Sequence, residues 1–147
     1  MELVIKQFDE KYIEECIKMF IETFKEAPWN ENWKYKDAKD RIISLTNFAY
    51  NESFILFDND KVIGLAIGHY LHFPTNTTYR VEDFSISKDY KGKGIGTIFM
   101  NEISKIVKKN ANTISLETNR GFPSHHFYLK NGFEDAKTSV LLYKTLD

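Results

Sequence analysis

The segment from Val81 to Thr97 constrains the fold of this chain more than any other part of its sequence. Its first residues alternate apolar and polar side chains, which predicts a strand, and helical periodicity begins at its end. Three glycines stand at alternate positions of the turn between them: Gly92, Gly94 and Gly96. Glycines let main-chain amides approach an anion, and a helix start adds unpaired N–H donors. With Lys91 and Lys93 beside them, this turn is predicted to bind a phosphate or a pyrophosphate.

Two widespread phosphate motifs do not fit this turn. The P-loop requires Gly-Lys followed by Ser or Thr, and no such tripeptide occurs in the chain. The dinucleotide fingerprint requires Gly-x-Gly-x-x-Gly near the start of a parallel sheet, whereas the spacing here is Gly-x-Gly-x-Gly and lies late in the sequence. Nucleotide binding of either kind is therefore not predicted.

Composition excludes several classes of protein. The chain has 147 residues, of which 42% are hydrophobic, so one folded domain over residues 1–147 is expected. Twenty Lys and Arg against 21 Asp and Glu give a formal charge of −1, which does not favour a nucleic-acid partner. The single cysteine, Cys16, permits no internal disulfide, and no metal-ligand spacing is present, so no metal is expected.

No apolar run approaches the roughly 18 residues of a membrane helix, and the N-terminus lacks the pattern of a signal peptide. A cytoplasmic protein without a membrane partner is therefore expected. Periodicity predicts the element order β-α-α-β-β-β-α-β-α-β. The predicted fold class is α+β, a mixed and mostly antiparallel central sheet flanked by helices. The predicted elements with explicit bounds span residues 2–8, 35–49, 53–57, 62–71, 79–86, 113–116, 123–130 and 139–145.

The glycine turn resembles the cofactor signature of the GNAT superfamily of N-acetyltransferases, Gln/Arg-x-x-Gly-x-Gly/Ala after the fourth strand. Gly94 and Gly96 match, and Lys91 stands where Gln or Arg is usual, which keeps the charge but loses the planar fork of Arg. The resemblance implies that the turn holds the pyrophosphate of acetyl-coenzyme A (acetyl-CoA) and that the strand end pairs with its pantetheine arm. The implied cofactor-binding residues are Ser85, Ile86, Ser87, Lys91, Gly92, Lys93, Gly94, Ile95, Gly96, Thr97 and Asn119.

A second segment, Phe127 to Phe133, is similar to the other signature of that superfamily, Phe/Leu-Tyr-x-x-x-Gly-Phe at the end of a helix. In the family this tyrosine is the general acid that protonates the departing thiolate, which implies a catalytic role for Tyr128. A tyrosine hydroxyl has an ordinary pKa of about 10, so it holds its proton at neutral pH.

The attacking amine must lose a proton, which requires a base. Val81 to Phe84 resembles the Leu-Glu-Asp-aromatic segment of polyamine-type members, which implies that Glu82 is the base or orients the amine. Strand alternation predicts that Asp83 faces the opposite way. In the superfamily, acceptor specificity comes from the region between the first two helices and from the strand hairpins, so the resemblance implies that Phe24, Trp29 and Glu82 bind the acceptor. The other candidates for acceptor contact are Glu26, Trp33, His69, Tyr70 and His72.

Trp29 and Trp33 have an alternative interpretation as residues that only cap the core. The resemblance implies direct acetyl transfer to a primary amine of a small molecule in a ternary complex. Protein lysines, protein N-termini and a non-catalytic coenzyme A sensor remain alternatives, although a sensor would need neither Tyr128 nor Glu82. Homodimers are common in the family, so both a monomer and a homodimer stay open.

Overall fold

Five strands form one sheet in the order β1-β2-β3-β4-β5. The computed structural model describes residues 1–147 and divides into two units, Met1–Glu117 and Thr118–Asp147. The strands are β1 (Leu3–Gln7), β2 (Phe54–Asp58), β3 (Lys61–Phe73), β4 (Asn76–Ile86) and β5 (Thr113–Ser115). The helices are α1 (Ile13–Lys25), α2 (Tyr35–Thr46), α3 (Ile95–Val107) and, in the second unit, α4 (Pro123–Lys130).

Strands β1 to β4 pair antiparallel, and only β5 joins parallel, to β4. The chain between β4 and β5 contains α3, as a parallel connection requires a crossover. The predicted fold class, a mixed and mostly antiparallel sheet with helices, is therefore confirmed. The expectation of a single domain over residues 1–147 stays a prediction.

Each face of the sheet has its own apolar core. One core joins α1 and α2 to the sheet and includes Ile17, Phe20, Ile42, Leu65 and Ile67. The other joins α3 to the opposite face and includes Leu56, Ile63, Tyr79, Phe99 and Ile103. Burying each large side chain contributes about 1.5–3 kcal/mol. The apolar faces of the helices and strands are therefore packed against each other in these two cores.

Helix α2 ends earlier than the prediction of 35–49. The Thr46 hydroxyl donates to the carbonyl of Ile42 at 2.8 Å, and the Asn47 amide donates to the carbonyl of Ile43 at 2.8 Å. Both bonds run to carbonyls of the last helical turn, where polar side chains compete with the main chain and favour a helix end. Phe48 is consequently outside the helix and 43% exposed.

The strand predicted over residues 139–145 is wrong: that segment contains no helix or strand. Its apolar residues are exposed, among them Val140, Leu142 and Tyr143 at 80%, 83% and 89%. An apolar pattern alone does not make a strand, because a strand also needs a neighbour with which to exchange main-chain hydrogen bonds. None of the helices has the length and apolar character required to cross a bilayer.

Candidate active site

A β-bulge interrupts the ladder between β3 and β4. Ile67 pairs with Asp83, but the next residue of β3, Gly68, pairs with Val81. Glu82 is therefore an extra residue on β4 without a partner across the ladder. An inserted residue breaks the strict alternation of side chains and turns its neighbours toward new directions.

The bulge places two successive carboxylates on the same face of the sheet. Asp83 pairs with Arg41 of α2, and Arg41 also interacts electrostatically with Glu82. The next residue, Phe84, stacks on Phe99 of α3 on the other face, with ring centroids 5.4 Å apart. The prediction that Asp83 faces away from Glu82 is therefore wrong, because it assumed an unbroken alternation.

Asp83 is held by a two-pronged ion pair. Arg41 donates from Nε to Oδ2 at 2.9 Å and from Nη2 to Oδ1 at 3.1 Å. The Asp83 side chain is only 10% exposed. Burial raises the pKa of Asp83 above its ordinary value, and the Arg41 guanidinium works against that rise. Both oxygens of Asp83 are thus occupied, and the pair ties α2 to β4.

Glu82 has different surroundings. Its Oε2 lies 2.8 Å from Nε2 of His69 and 3.9 Å from Nε of Arg80. Arg80 also forms an ion pair with Glu117: Nη2 of Arg80 lies 2.6 Å from Oε1 of Glu117. The Glu82 side chain is 25% exposed, so this carboxylate can be reached by a ligand.

The outer edge of β4 is open beside the bulge. Strand β5 pairs only with Thr78–Arg80, and no strand lies beside the later part of β4. The N–H of Ser87 bonds to the carbonyl of Ile63 at 2.7 Å. Because ladder groups alternate in an antiparallel pair, Ser85 also faces β3, while the main-chain N–H and carbonyl of Ile86 face the open edge. Among the three predicted pantetheine contacts, Ile86 is therefore the one with outward main-chain groups.

The glycine turn leads from β4 into α3. Gly92 and Gly94 have φ angles of 77° and 75°, and an added Cβ would meet nothing within 4 Å at either position. Left-handed geometry, not crowding, therefore requires glycine here. Ile98 is the first residue of α3 whose N–H bonds back, to Gly94 at 3.2 Å. The preceding amides of the first turn, those of Ile95, Gly96 and Thr97, are oriented for an anion.

Tyr90 anchors the start of this turn. Its hydroxyl donates to Asp58 at 2.7 Å, and this bond lowers the pKa of Asp58 below its ordinary value. The ammonium groups of Lys61 and Lys93 lie 5.6 and 5.5 Å from the centre of the Tyr90 ring. Lys91 is exposed in the same turn. The turn thus carries positive charge next to its amides, as predicted.

The aromatic segment after α1 folds back on that helix. Trp33 packs edge-on against Phe20 at 5.0 Å and belongs to the rim of the core. Phe24 lies 4.7 Å from Phe20 and 5.7 Å from Trp29, measured between ring centroids. Phe24 and Trp33 therefore both pack against the core, and the half-buried Trp29 packs on Phe24. Their contact with an acceptor stays a prediction.

The remaining residues named as acceptor contacts are spread out. Tyr70 packs on Tyr79 in the α3 core, and His72 is exposed beside the ring of Tyr50. Only His69 of these strand residues contacts a predicted catalytic group. Glu26 lies 3.4 Å from the ammonium of Lys88.

The second unit carries the tyrosine motif. Tyr128 of α4 is buried, and its ring packs against Phe127 and Phe133 at 5.2 and 5.3 Å. Asn119 is exposed, and its carbonyl accepts the N–H of Phe122 at 3.2 Å. The roles implied for Tyr128 and Asn119 stay predictions.

Other chemistry at the site is limited. No group of three or more His, Cys, Asp or Glu side chains is arranged to hold a metal ion. Cys16 is fully buried, and burial raises the pKa of its thiol to about 12. The thiol therefore keeps its proton at neutral pH and is a poor nucleophile.

Sequence reasoning missed two arginines and the bulge. Arg41 and Arg80 bind the carboxylates of the site, but nothing in their spacing signals this, since their partners lie on other elements. Gly68 was the one available hint of the bulge, because glycine inside a strand often marks one. A Cβ at Gly68 would lie 2.3 Å from the hydroxyl of Tyr79, so this glycine also permits a close approach.

Comparison with known proteins identifies a family. The model described as the acetyltransferase (GNAT) family matches residues 13–133. No curated protein sequence matches the chain. Among solved structures, the chain is similar to a possible acetyltransferase from Clostridium difficile 630, with 14% identity, a TM-score of 0.83 and 100% of both chains covered.

Two further solved structures carry names that state an acceptor. An aminoglycoside acetyltransferase from an uncultured soil metagenomic sample, in complex with sisomicin, has 15% identity and a TM-score of 0.76 over 99% of this chain and 97% of that one. A ribosomal-protein-alanine N-acetyltransferase from Brucella melitensis has 12% identity and a TM-score of 0.76 over 98% and 100%. At these identities the likeness shows the fold alone.

Proposed function

This chain belongs to the acetyltransferase (GNAT) family, and on that premise we propose that it transfers the acetyl group of acetyl-CoA to a primary amine of a small molecule. The proposal is an N-acetyltransferase that works by direct transfer in a ternary complex. The observation that carries it is the reachable carboxylate of Glu82, which lies on the same strand as the outward main-chain groups of Ile86. A cytoplasmic location and a mechanism without metal belong to the same proposal.

The residues present suit coenzyme A. The glycine turn offers amides and lysine charges that match a pyrophosphate. The open edge of β4 offers the main-chain carbonyl of Ile86 to an amide of a pantetheine arm, as an added strand would use it. Gly92 and Gly94 leave the approach to the turn free of side chains. These three features lie on one continuous stretch of chain.

Acetyl-CoA supplies an activated acetyl thioester when it is bound. Glu82 accepts a proton from the ammonium of the acceptor, directly or through a water, so that the nitrogen lone pair can form the new C–N bond. The Ile86 N–H donates to the thioester carbonyl oxygen as negative charge develops there. In this proposal the hydroxyl of Tyr128 would protonate the sulfur as the C–S bond breaks, and the second proton of the acceptor nitrogen would leave to solvent. The remaining contribution is positioning of the two reactants.

Glu82 favours a cationic acceptor. Only 25% of the Glu82 side chain is exposed to solvent, which suits a slender alkyl ammonium that enters beside β4. The names of the two structurally similar proteins state an aminoglycoside and a ribosomal-protein alanine as acceptors. An acceptor panel should therefore contain aminoglycosides, polyamines, amino acids and peptides with free N-termini.

A thiol-release assay with that panel tests the proposal. We expect acetyl-CoA-dependent thiol release with at least one small amine and little with peptides. Glu82→Gln should lower kcat/KM for the amine by about 10²- to 10⁴-fold, the range for loss of a general base. Transfer to peptides alone would favour the protein-acetyltransferase alternative, and binding of acetyl-CoA without turnover would favour the sensor.

A further inference from the structure

We propose that His69 is a positioning residue that holds the carboxylate of Glu82 in the orientation needed to receive the proton of the acceptor amine. This inference rests on the proposed function and adds a residue to its acceptor side. It stands on the short contact between His69 Nε2 and Glu82 Oε2 and on the bulge that leaves Glu82 without a ladder partner.

The fold fixes the His69 ring from several sides. His69 lies on β3 directly opposite Arg80 of β4, and its main chain bridges Asn51 on the other side. The ring meets the edge of Phe48 at a centroid distance of 4.6 Å and an interplanar angle of 85°. Only 8% of the residue is exposed. A ring held this firmly can define the position of whatever it binds.

The hydrogen bond has a defined direction. A carboxylate oxygen can only accept, so Nε2 of His69 carries the proton of this 2.8 Å bond. The contacts from His69 and Arg80 both fall on Oε2 of Glu82. Oε1 is therefore left for the acceptor, and His69 determines where it points.

The other charged groups on this face are engaged elsewhere. Asp83 uses both oxygens on Arg41. Arg80 is 3.9 Å from Glu82 but makes its short contact, 2.6 Å, with Glu117. Of the two adjacent carboxylates on β4, Glu82 is thus the one with an oxygen to offer, and His69 is its one short partner.

Two substitutions at His69 distinguish the loss of its hydrogen-bond donor from a change in side-chain packing. His69→Leu fills the space beside Phe48 with an apolar side chain but removes the donor, and kcat should fall by about 10- to 100-fold. His69→Gln places an amide N–H close to the original Nε2 and should restore most of the lost kcat. Neither variant should change the Kd of acetyl-CoA, measured by calorimetry.

A double-mutant cycle tests whether His69 acts through Glu82. In a Glu82→Gln background, His69→Leu should lower kcat by less than about twofold, because the group that it positions is already gone. Tyr79→Phe is the matched control: it deletes a partly buried 2.6 Å hydrogen bond, to the carbonyl of Glu52, from the opposite face of β4. It should lower the melting temperature without altering kcat.

The possible results are distinct. Wild-type kcat in His69→Leu, equal losses in His69→Leu and His69→Gln, or the same loss in the presence and absence of Glu82 would each overturn the role of His69 while leaving the proposed function intact. If the wild-type protein acetylates no amine, the proposed function fails and the role of His69 fails with it.

Discussion

Glu82 and Asp83 show how two adjacent carboxylates acquire different roles from their surroundings. Asp83 is nearly buried and has both oxygens bonded to Arg41, so its contribution is to join α2 to β4. Glu82 is more exposed and keeps one oxygen without a short contact. The residue type is almost the same, and the difference comes from the bulge and from the partners that the fold brings.

The first prediction concerns Arg41. Arg41→Met leaves the buried carboxylate of Asp83 without its partner, so the free energy of unfolding should fall by about 1–3 kcal/mol at neutral pH. Burial already raises the pKa of Asp83, and without the guanidinium it should rise further. A carboxyl group with a raised folded pKa contributes stability that is complete below its unfolded pKa and is lost as pH rises from there through the folded pKa.

The loss in Arg41→Met should therefore be larger at about pH 8 than at about pH 5 in urea titrations. Adding Asp83→Asn to the same variant should flatten this difference, because no titrating group then remains. A loss that is independent of pH in Arg41→Met would contradict the assignment of the effect to Asp83.

A second prediction at the residue scale concerns Cys16. Its buried thiol, with a pKa raised to about 12, should react very slowly with an aromatic disulfide reagent at pH 8 in the folded protein. Unfolding in guanidinium should restore one rapidly reacting thiol per chain. Rapid labelling of the folded protein would contradict the burial and the raised pKa of this thiol.

At the scale of elements, the glycine turn and α3 act as one structure. The turn needs left-handed geometry at Gly92 and Gly94, and the first amides of α3 follow directly. The sequence predicted this unit well, because glycine spacing and helical periodicity are local signals. The end of α2 was harder to predict, since Thr46 and Asn47 stop the helix through side-chain bonds that compete with propensity.

The third prediction belongs to that turn. Gly94→Ala should destabilise the protein by about 1–2 kcal/mol, since alanine disfavours a φ of 75° and nothing within 4 Å would clash. It should also weaken acetyl-CoA binding in calorimetry, because the amides of the turn move when φ changes. Gly94→Asn should recover part of both losses, since asparagine tolerates this region better. If Gly94→Ala binds acetyl-CoA with unchanged affinity, the glycine turn does not contact this ligand.

At the scale of the molecule, positive and negative charges nearly cancel, but the glycine turn carries a local excess of positive charge. The formal charge is −1, yet Lys61, Lys91 and Lys93 stand in or beside the turn. Such an arrangement suits a small polyanion more than a long one. A ligand that binds the folded state alone must stabilise it by mass action.

The fourth prediction follows from that linkage. Acetyl-CoA at about 100 times its Kd should add about 2.7 kcal/mol of stability. For a chain of this size the melting temperature should then rise by about 5–10 °C. A cognate amine added with coenzyme A should raise it further. A flat thermal response to both coenzyme A and acetyl-CoA would contradict the proposed function.

The sequence by itself determined the elements and the two motifs, because both are local. Alternation and helical spacing located nearly all strands and helices, and α4 has the predicted bounds of 123–130. The glycine turn and the tyrosine segment together pointed to the family that the comparison confirms.

Tertiary structure decided the rest. One inserted residue in the ladder between β3 and β4 determines how the two carboxylates are directed. It decides that Asp83 meets Arg41 and that Glu82 meets His69. The apolar run at 139–145 lacks a strand neighbour for the same kind of reason. Hydrogen-bond pairing between residues far apart in sequence leaves no periodic trace, so only the folded chain reveals which side chains meet.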